Sequence, residues 1–397
     1  MTELTLYVLF IFLTNAVPLK TILSVCLLLL PFRGLSKSVG DTLTTTYLIA
    51  VNHWLFGRDS LAKQQLLNMP AQTTSIEQVS AWGLLLDEFY YWPGHYQRYL
   101  QLADSLHITT RFYSSAKLLA QQLPVQYQLK TDSLELPIHL GPKSHPVIEV
   151  QINGRICRLV LDTGAQSTLL SRRFAKQLGA KKLTEMTLSN YDGKNVPGSL
   201  LLLDSLILGG LTIKNLPAVA AGLSFPGIDG LLGWDVLRQF AITIDYANQR
   251  FSLRRSSHKP NSNANLLGGS LPMLLTRSLS GNQLNIMLDT GAGNELSISP
   301  TGLTKIGNYD TKLNLSLSAS VGQFIRVSRK QFIKRIDIHI DGVNHSFKKS
   351  AIFRTDEVIG QVIRDGLIGS RAFRKGILML DAPSHWFHYQ SSLQRKR

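Results

Sequence analysis

The chain has 397 residues, 44% hydrophobic and 17% charged, a composition that excludes a disordered or low-complexity protein and calls for two or three cores. Its two cysteines, Cys26 and Cys157, cannot build a disulfide framework or a thiolate zinc site. A net charge of +16 would favour anionic partners, but the basic residues fall as scattered pairs (Arg172-Arg173, Lys181-Lys182, Arg254-Arg255, Lys348-Lys349) without interleaved aromatics, so a nucleic-acid partner is disfavoured.

Residues 4–32 are apolar with Lys20 the only charge, and Pro18 and Lys20 split the run in two. Residues 1–38 therefore read as a signal peptide or a membrane anchor. The acidic Met1-Thr2-Glu3 is a poor signal start, whereas a start near Val17 would place Lys20 ahead of an apolar stretch. The expectation is export, to a periplasmic or extracellular location, with anchoring by residues 4–32 if the leader is kept.

Residues 39–125 predict an α-helical domain. Apolar residues recur at three and four spacing through Trp82, Leu84, Leu85, Leu86, Phe89 and Tyr90, then Tyr96, Tyr99, Leu100, Leu102 and Ala103. Pro70 and the Trp92-Pro93-Gly94 turn divide them into hairpins.

After Pro124 the pattern shortens to alternating strands. Residues 147–161 predict a β-hairpin turning at Asn153-Gly154. Residues 126–257 form a first β lobe, the polar stretch 258–268 a linker, and residues 269–397 a second lobe of similar length.

The two lobes share a repeat. Arg158-Leu-Val-Leu-Asp-Thr-Gly-Ala165 matches Asn285-Ile-Met-Leu-Asp-Thr-Gly-Ala292, and Asp229-Gly-Leu-Leu-Gly233 matches Asp365-Gly-Leu-Ile-Gly369. The match continues without a gap through Leu237-Arg238 against Phe373-Arg374 and Ile244-Asp245 against Leu380-Asp381. One Asp-Thr-Gly is weak evidence; two in register, each with a second shared motif, are strong.

These residues resemble the retropepsin-like aspartic proteases, over about Pro146 to Tyr389. The resemblance implies a mainly β fold of two retropepsin-like β-barrel lobes in tandem behind the helical domain. It implies Asp162 and Asp289 as the catalytic carboxylates of an aspartic endopeptidase acting on protein or peptide, with no cofactor and no metal. Thr163, Gly164, Ala165, Thr290, Gly291 and Ala292 support the two loops, and in the family such threonines lock the lobes together. Both lobes then lie in one chain, so that a monomer can suffice.

The chemistry fits the residue types. Hydrolysis without a metal needs one group to take a proton from water and another to protonate the carbonyl oxygen. Two carboxylates sharing one proton can do both, titrating as a unit with one pKa raised and the other lowered. Flaps are expected at residues 188–197, with Tyr191, Asp192 and Gly193 near the tip, and at residues 315–324, with Gly322 at the turn; these are the candidate substrate-binding residues.

The halves differ in one place. Gln166-Ser167-Thr168 follows the first motif and keeps the family's hydroxyls, while Gly293-Asn294-Glu295 follows the second. Glu295 is either a surface acid or a charge close enough to raise the pair's pKa. The competing reading of the whole chain is a catalytically silent protein that holds a peptide in the same cleft. No His-Glu-x-x-His, Gly-x-Ser-x-Gly or phosphate-loop motif points elsewhere.

Overall fold

The structure is a computed structural model in which residues 39–69, 76–189, 195–223, 225–257, 264–307, 309–321, 323–359 and 362–391 are described. The leader reading at 1–38 lies outside them. Among the described residues no helix is long and apolar enough to cross a membrane.

Helices occupy Val39–Leu55, Asp59–Leu67, Ile76–Leu86, Tyr96–Ser105 and Tyr113–Leu119, with a π-helical turn at Asp87–Tyr91. Trp82, Leu84, Leu85, Leu86, Tyr90 and Tyr99 are buried, as their spacing predicts. The Trp92-Pro93-Gly94 turn closes with the Gly94 amide on the Tyr91 carbonyl at 3.0 Å, Gly94 taking a φ of 86°. This helical segment, up to Gln121, forms one compact unit with Val358–Ile363; Gln122–Glu357 and the chain from Arg364 onward form the other.

That second unit is mainly β, two barrel lobes in tandem. In the first lobe the strands Pro146–Ile152 and Arg155–Leu161 form the predicted hairpin, with Asn153 and Gly154 both at positive φ (44° and 82°), as a tight twisted turn requires. Strand Gly230–Leu232 lies parallel to Arg155–Leu161 and antiparallel to Leu169–Ser171. The second lobe repeats the arrangement, with Gly366–Gly369 parallel to Gln283–Asp289 and antiparallel to Leu296–Ile298. The repeated Gly-Leu-Leu/Ile-Gly segments are thus central strands, and their uninterrupted apolar residues match burial on both faces.

The lobes join through a five-stranded sheet ordered Ser133–Pro137, Arg250–Arg254, Ala241–Asp245, Gly376–Asp381 and Trp386–Ser391. Its central rung pairs Ala241–Asp245 of the first lobe with Gly376–Asp381 of the second. Phe251, Leu253, Ile242, Ile244, Leu378, Leu380, Phe387 and Tyr389 all point one way along these strands and are buried. They belong to one hydrophobic cluster that also holds Leu161, Leu288 and Ile368, so a single core runs beneath both motif loops. Leu266–Leu267, within the range read as linker, pairs with Met273–Leu274, so strand pairing resumes before residue 268.

Candidate active site

Each Asp-Thr-Gly loop follows the last residues of a strand whose neighbour is the repeated glycine strand, and this pins both loops against one another. The Thr163 amide donates to Thr290 Oγ1 and the Thr290 amide to Thr163 Oγ1, each at 3.0 Å. Thr163 Oγ1 donates to the Leu288 carbonyl at 2.9 Å, and Thr290 Oγ1 to the Leu161 carbonyl at 2.6 Å. Both threonines are fully buried. The four bonds form a closed figure in which every donor of one loop meets an acceptor of the other.

The glycines are forced by the approach of the carboxylates. A Cβ on Gly164 would lie 2.4 Å from Asp289 Cγ, and one on Gly291 would lie 2.3 Å from Asp162 Cγ. Each glycine therefore sits beneath the opposite lobe's aspartate. The strands below are equally close: a Cβ on Gly233 would meet the Ser167 backbone at 2.5 Å, and one on Gly369 the Ala292 carbonyl oxygen at 2.5 Å.

Asp162 and Asp289 hydrogen-bond to each other through their side chains. Burial is the first cause of perturbation for both, and it pushes both carboxyls up because it disfavours the charged form. For Asp162 the neighbouring Asp289 charge adds to the rise, while the Gly164 amide, at 2.9 Å from Oδ1, opposes it. Asp289 is also raised, to about 6, against the lowering effect of the Ala292 amide, its bond to Asp162, the Gly291 amide and the charge of Arg364. Burial thus lifts both carboxyls, and the coupled pair titrates as a unit.

The departure in the second loop has a packing cause. A Cβ on Gly293 would lie 2.6 Å from Lys143 Cβ and 2.8 Å from His145 Nε2, so the first lobe's Lys143–His145 turn fills the space a side chain would need. In the first loop the corresponding Gln166 reaches Ser270 Oγ at 2.8 Å, where the second lobe's segment is small. Bulk has been exchanged between loop and partner.

Below that point the polar contacts are also exchanged. Thr168 donates its amide and hydroxyl to the Asp235 carboxylate at 2.9 and 3.0 Å. In the second lobe, whose loop is one residue longer before its next strand, Glu295 faces Arg371, the residue matching Asp235, at 3.7 Å, with Arg374 at 3.9 Å. Asn294 Nδ2 donates to Ser297 Oγ at 2.9 Å, and the Gly369 amide bonds the Glu295 carbonyl. Glu295 is an ion-paired brace. Asp235, Arg371, Ser270 and the Lys143–His145 turn carry no motif and were not foreseen; only aligning the two halves residue by residue points to Asp235 and Arg371.

The repeated Asp-Gly before each glycine strand has a role as well. Asp229 Oδ2 accepts from the Arg158 amide at 3.0 Å, and Asp365 Oδ2 accepts from the Asn285 amide at 2.8 Å. Asp365 is fully buried and also bonds Lys305 Nζ at 2.6 Å.

Apolar residues gather around the first loop: Val147, Val160, Leu169, Ala221 and Leu231, with Ala165, Leu188 and Ile228 against them. Val321, from the second lobe's long hairpin, packs on the same cluster. The two expected flaps exist as hairpins, Lys181–Ser189 with Asn195–Leu208 and Thr311–Ser320 with Gln323–Ile340. Their tips, including Tyr191, Asp192, Gly193 and Gly322, lie outside the described residues.

Residues 148–236, the core of the first lobe, match the family model described as aspartyl protease. A crystal structure of a retropepsin-like aspartic protease from Rickettsia conorii is similar at 26% identity, covering 33% of this chain and 97% of that one, with a TM-score of 0.25. No curated protein matches the chain.

Proposed function

From the premise that this is a retropepsin-like aspartic protease chain, we propose that it hydrolyses peptide bonds with a water activated between Asp162 and Asp289. The observation that carries the reading is the interlocked pair of loops, in which each carboxylate lies over the other lobe's glycine and the two share a hydrogen bond. Burial and mutual repulsion keep one proton on the pair, which titrates as a unit.

The water oxygen bonds to the peptide carbon while its proton passes to the ionised carboxylate of the pair and the proton of the other passes to the carbonyl oxygen. Collapse of that intermediate breaks the C–N bond; the carboxyl that took the water proton gives it to the leaving amine, and a hydroxyl proton returns to the other carboxylate, restoring the pair. The apolar cluster beside Asp162 supplies a dry wall against which such a proton exchange is strengthened. One chain furnishes both carboxylates, so we propose a monomer as the active form. Export is proposed from residues 4–32 alone.

The test is cleavage of a peptide library from mildly acidic to neutral pH, with and without pepstatin, by the wild type and by Asp162→Asn and Asp289→Asn. Loss of all cut products in both variants, with folding retained, is expected. Cleavage surviving in either one would sink the assignment.

A further inference from the structure

The two lobes differ in charge at one matched position beside the motif strands. In the first lobe, Ile228 immediately precedes Asp229 and packs in the apolar cluster with Val160, Leu169 and Leu231. The matching residue of the second lobe is Arg364, immediately before Asp365. Its neighbours correspond position by position: Met287 stands for Val160, Ser297 for Leu169 and Leu367 for Leu231.

Arg364 is 2% exposed. One guanidinium nitrogen lies 3.8 Å from Met287 Sδ, two residues before Asp289, and the group stacks over the Phe353 ring at 4.5 Å. A cation so placed must be neutralised. One partner is Glu357, whose carboxylate meets Nη2 at 2.8 Å while its side chain stays 42% exposed. The guanidinium is therefore sealed by a carboxylate that solvent reaches.

Resting on the proteolytic reading above, we propose that Arg364 determines specificity: the Asp289 half of the cleft accepts an acidic substrate side chain, whose carboxylate replaces that of Glu357. The exchange trades one ion pair for another and leaves the buried cation compensated throughout. A neutral side chain offers no such exchange, so Glu357 stays in place. Substrates are then read as an apolar residue toward the first lobe and an acidic one toward the second. Arginine suits this task because its planar fork holds a carboxylate in a fixed direction.

The alternative is a plain clasp in which Glu357 and Arg364 only hold together the paired strands Glu357–Ile359 and Val362–Arg364. The two readings separate with Arg364→Met and Glu357→Gln in the full chain, assayed on matched peptides that differ by Glu against Gln at one position. The specificity reading expects wild type to favour the Glu peptides by about tenfold in kcat/KM. It expects Arg364→Met to erase that preference while still cutting the Gln peptides, and Glu357→Gln to enlarge it. A clasp would make both variants fail alike on every peptide.

Equal cutting of Glu and Gln peptides by the wild type overturns the proposal and leaves proteolysis intact. So does an Arg364→Met variant whose pH profile moves while its preference stays. If nothing is cut, fluorescence anisotropy with the same labelled peptides decides it. Carboxylate-dependent binding that requires Arg364 supports the subsite without the protease, and binding indifferent to the carboxylate removes it.

Discussion

Replacing Thr290 by Val tests the link between the lobes at its smallest unit. Valine keeps the shape of threonine and deletes the hydroxyl, so packing changes little. Two bonds go, leaving the Thr163 amide and the Leu161 carbonyl without the partner they now have at 3.0 and 2.6 Å. A buried backbone group stripped of its partner costs about 1–3 kcal/mol, so the substitution should cost roughly 2–6 kcal/mol. Thr163→Val strands a different pair, the Thr290 amide and the Leu288 carbonyl. The two single costs should therefore add in the double variant if the loops stay rigid, and fall short of additivity if they separate. Urea unfolding supplies the free energies, and hydrogen exchange at residues 160–166 and 287–293 shows whether the loss is local. Thr290→Ser should restore most of it. Both valine variants unfolding within about 0.5 kcal/mol of wild type would refute the claim that these bonds join the lobes.

Gly291→Ala should fold but lose cleavage, because its Cβ must displace the Asp162 carboxylate 2.3 Å away; turnover against a circular-dichroism control checks this. Both aspartates have folded pKa values raised above the unfolded ones, so their contribution to stability is complete below the unfolded pKa and is lost as pH rises through the folded values. Asp162→Asn should therefore stabilise the protein at pH 7 more than at pH 4, as measured by parallel urea titrations; an equal effect at both would contradict the burial argument. Lys305→Met removes the cation from the fully buried Asp365 and should cost about 3–5 kcal/mol in the same assay. Glu295→Gln breaks only a long contact to two half-exposed arginines, so it should cost under about 1 kcal/mol and leave the pH profile of cleavage unmoved.

The features legible in the sequence are those that a duplicated motif or a strict period repeats. The glycine strands and the interlocking threonines could be read from two copies of Asp-Thr-Gly-Ala and Asp-Gly-Leu-Leu/Ile-Gly, because each residue there meets a requirement imposed by the other copy. The hairpin at Asn153-Gly154 was legible because its turn needs two residues at positive φ. The five-stranded sheet that joins the lobes was not, since strands distant in sequence choose their partners through side-chain fit and not through any local pattern.

The second loop shows why a single position misleads where a pair does not. Taken alone, Glu295 in place of a hydroxyl looks like decay of the half carrying Asp289. Taken with Arg371, which stands where the first lobe has Asp235, it has a counterpart of opposite charge: a hydroxyl bonds a carboxylate in one lobe, and a carboxylate faces a guanidinium at longer range in the other. Gly293 and the Lys143–His145 turn repeat the argument in volume, set against Gln166 and Ser270. Two compensated differences around one loop are what drift under a retained geometry leaves behind. A loop released from that geometry would lose the glycine beneath the opposite carboxylate first, and Gly291 is still there.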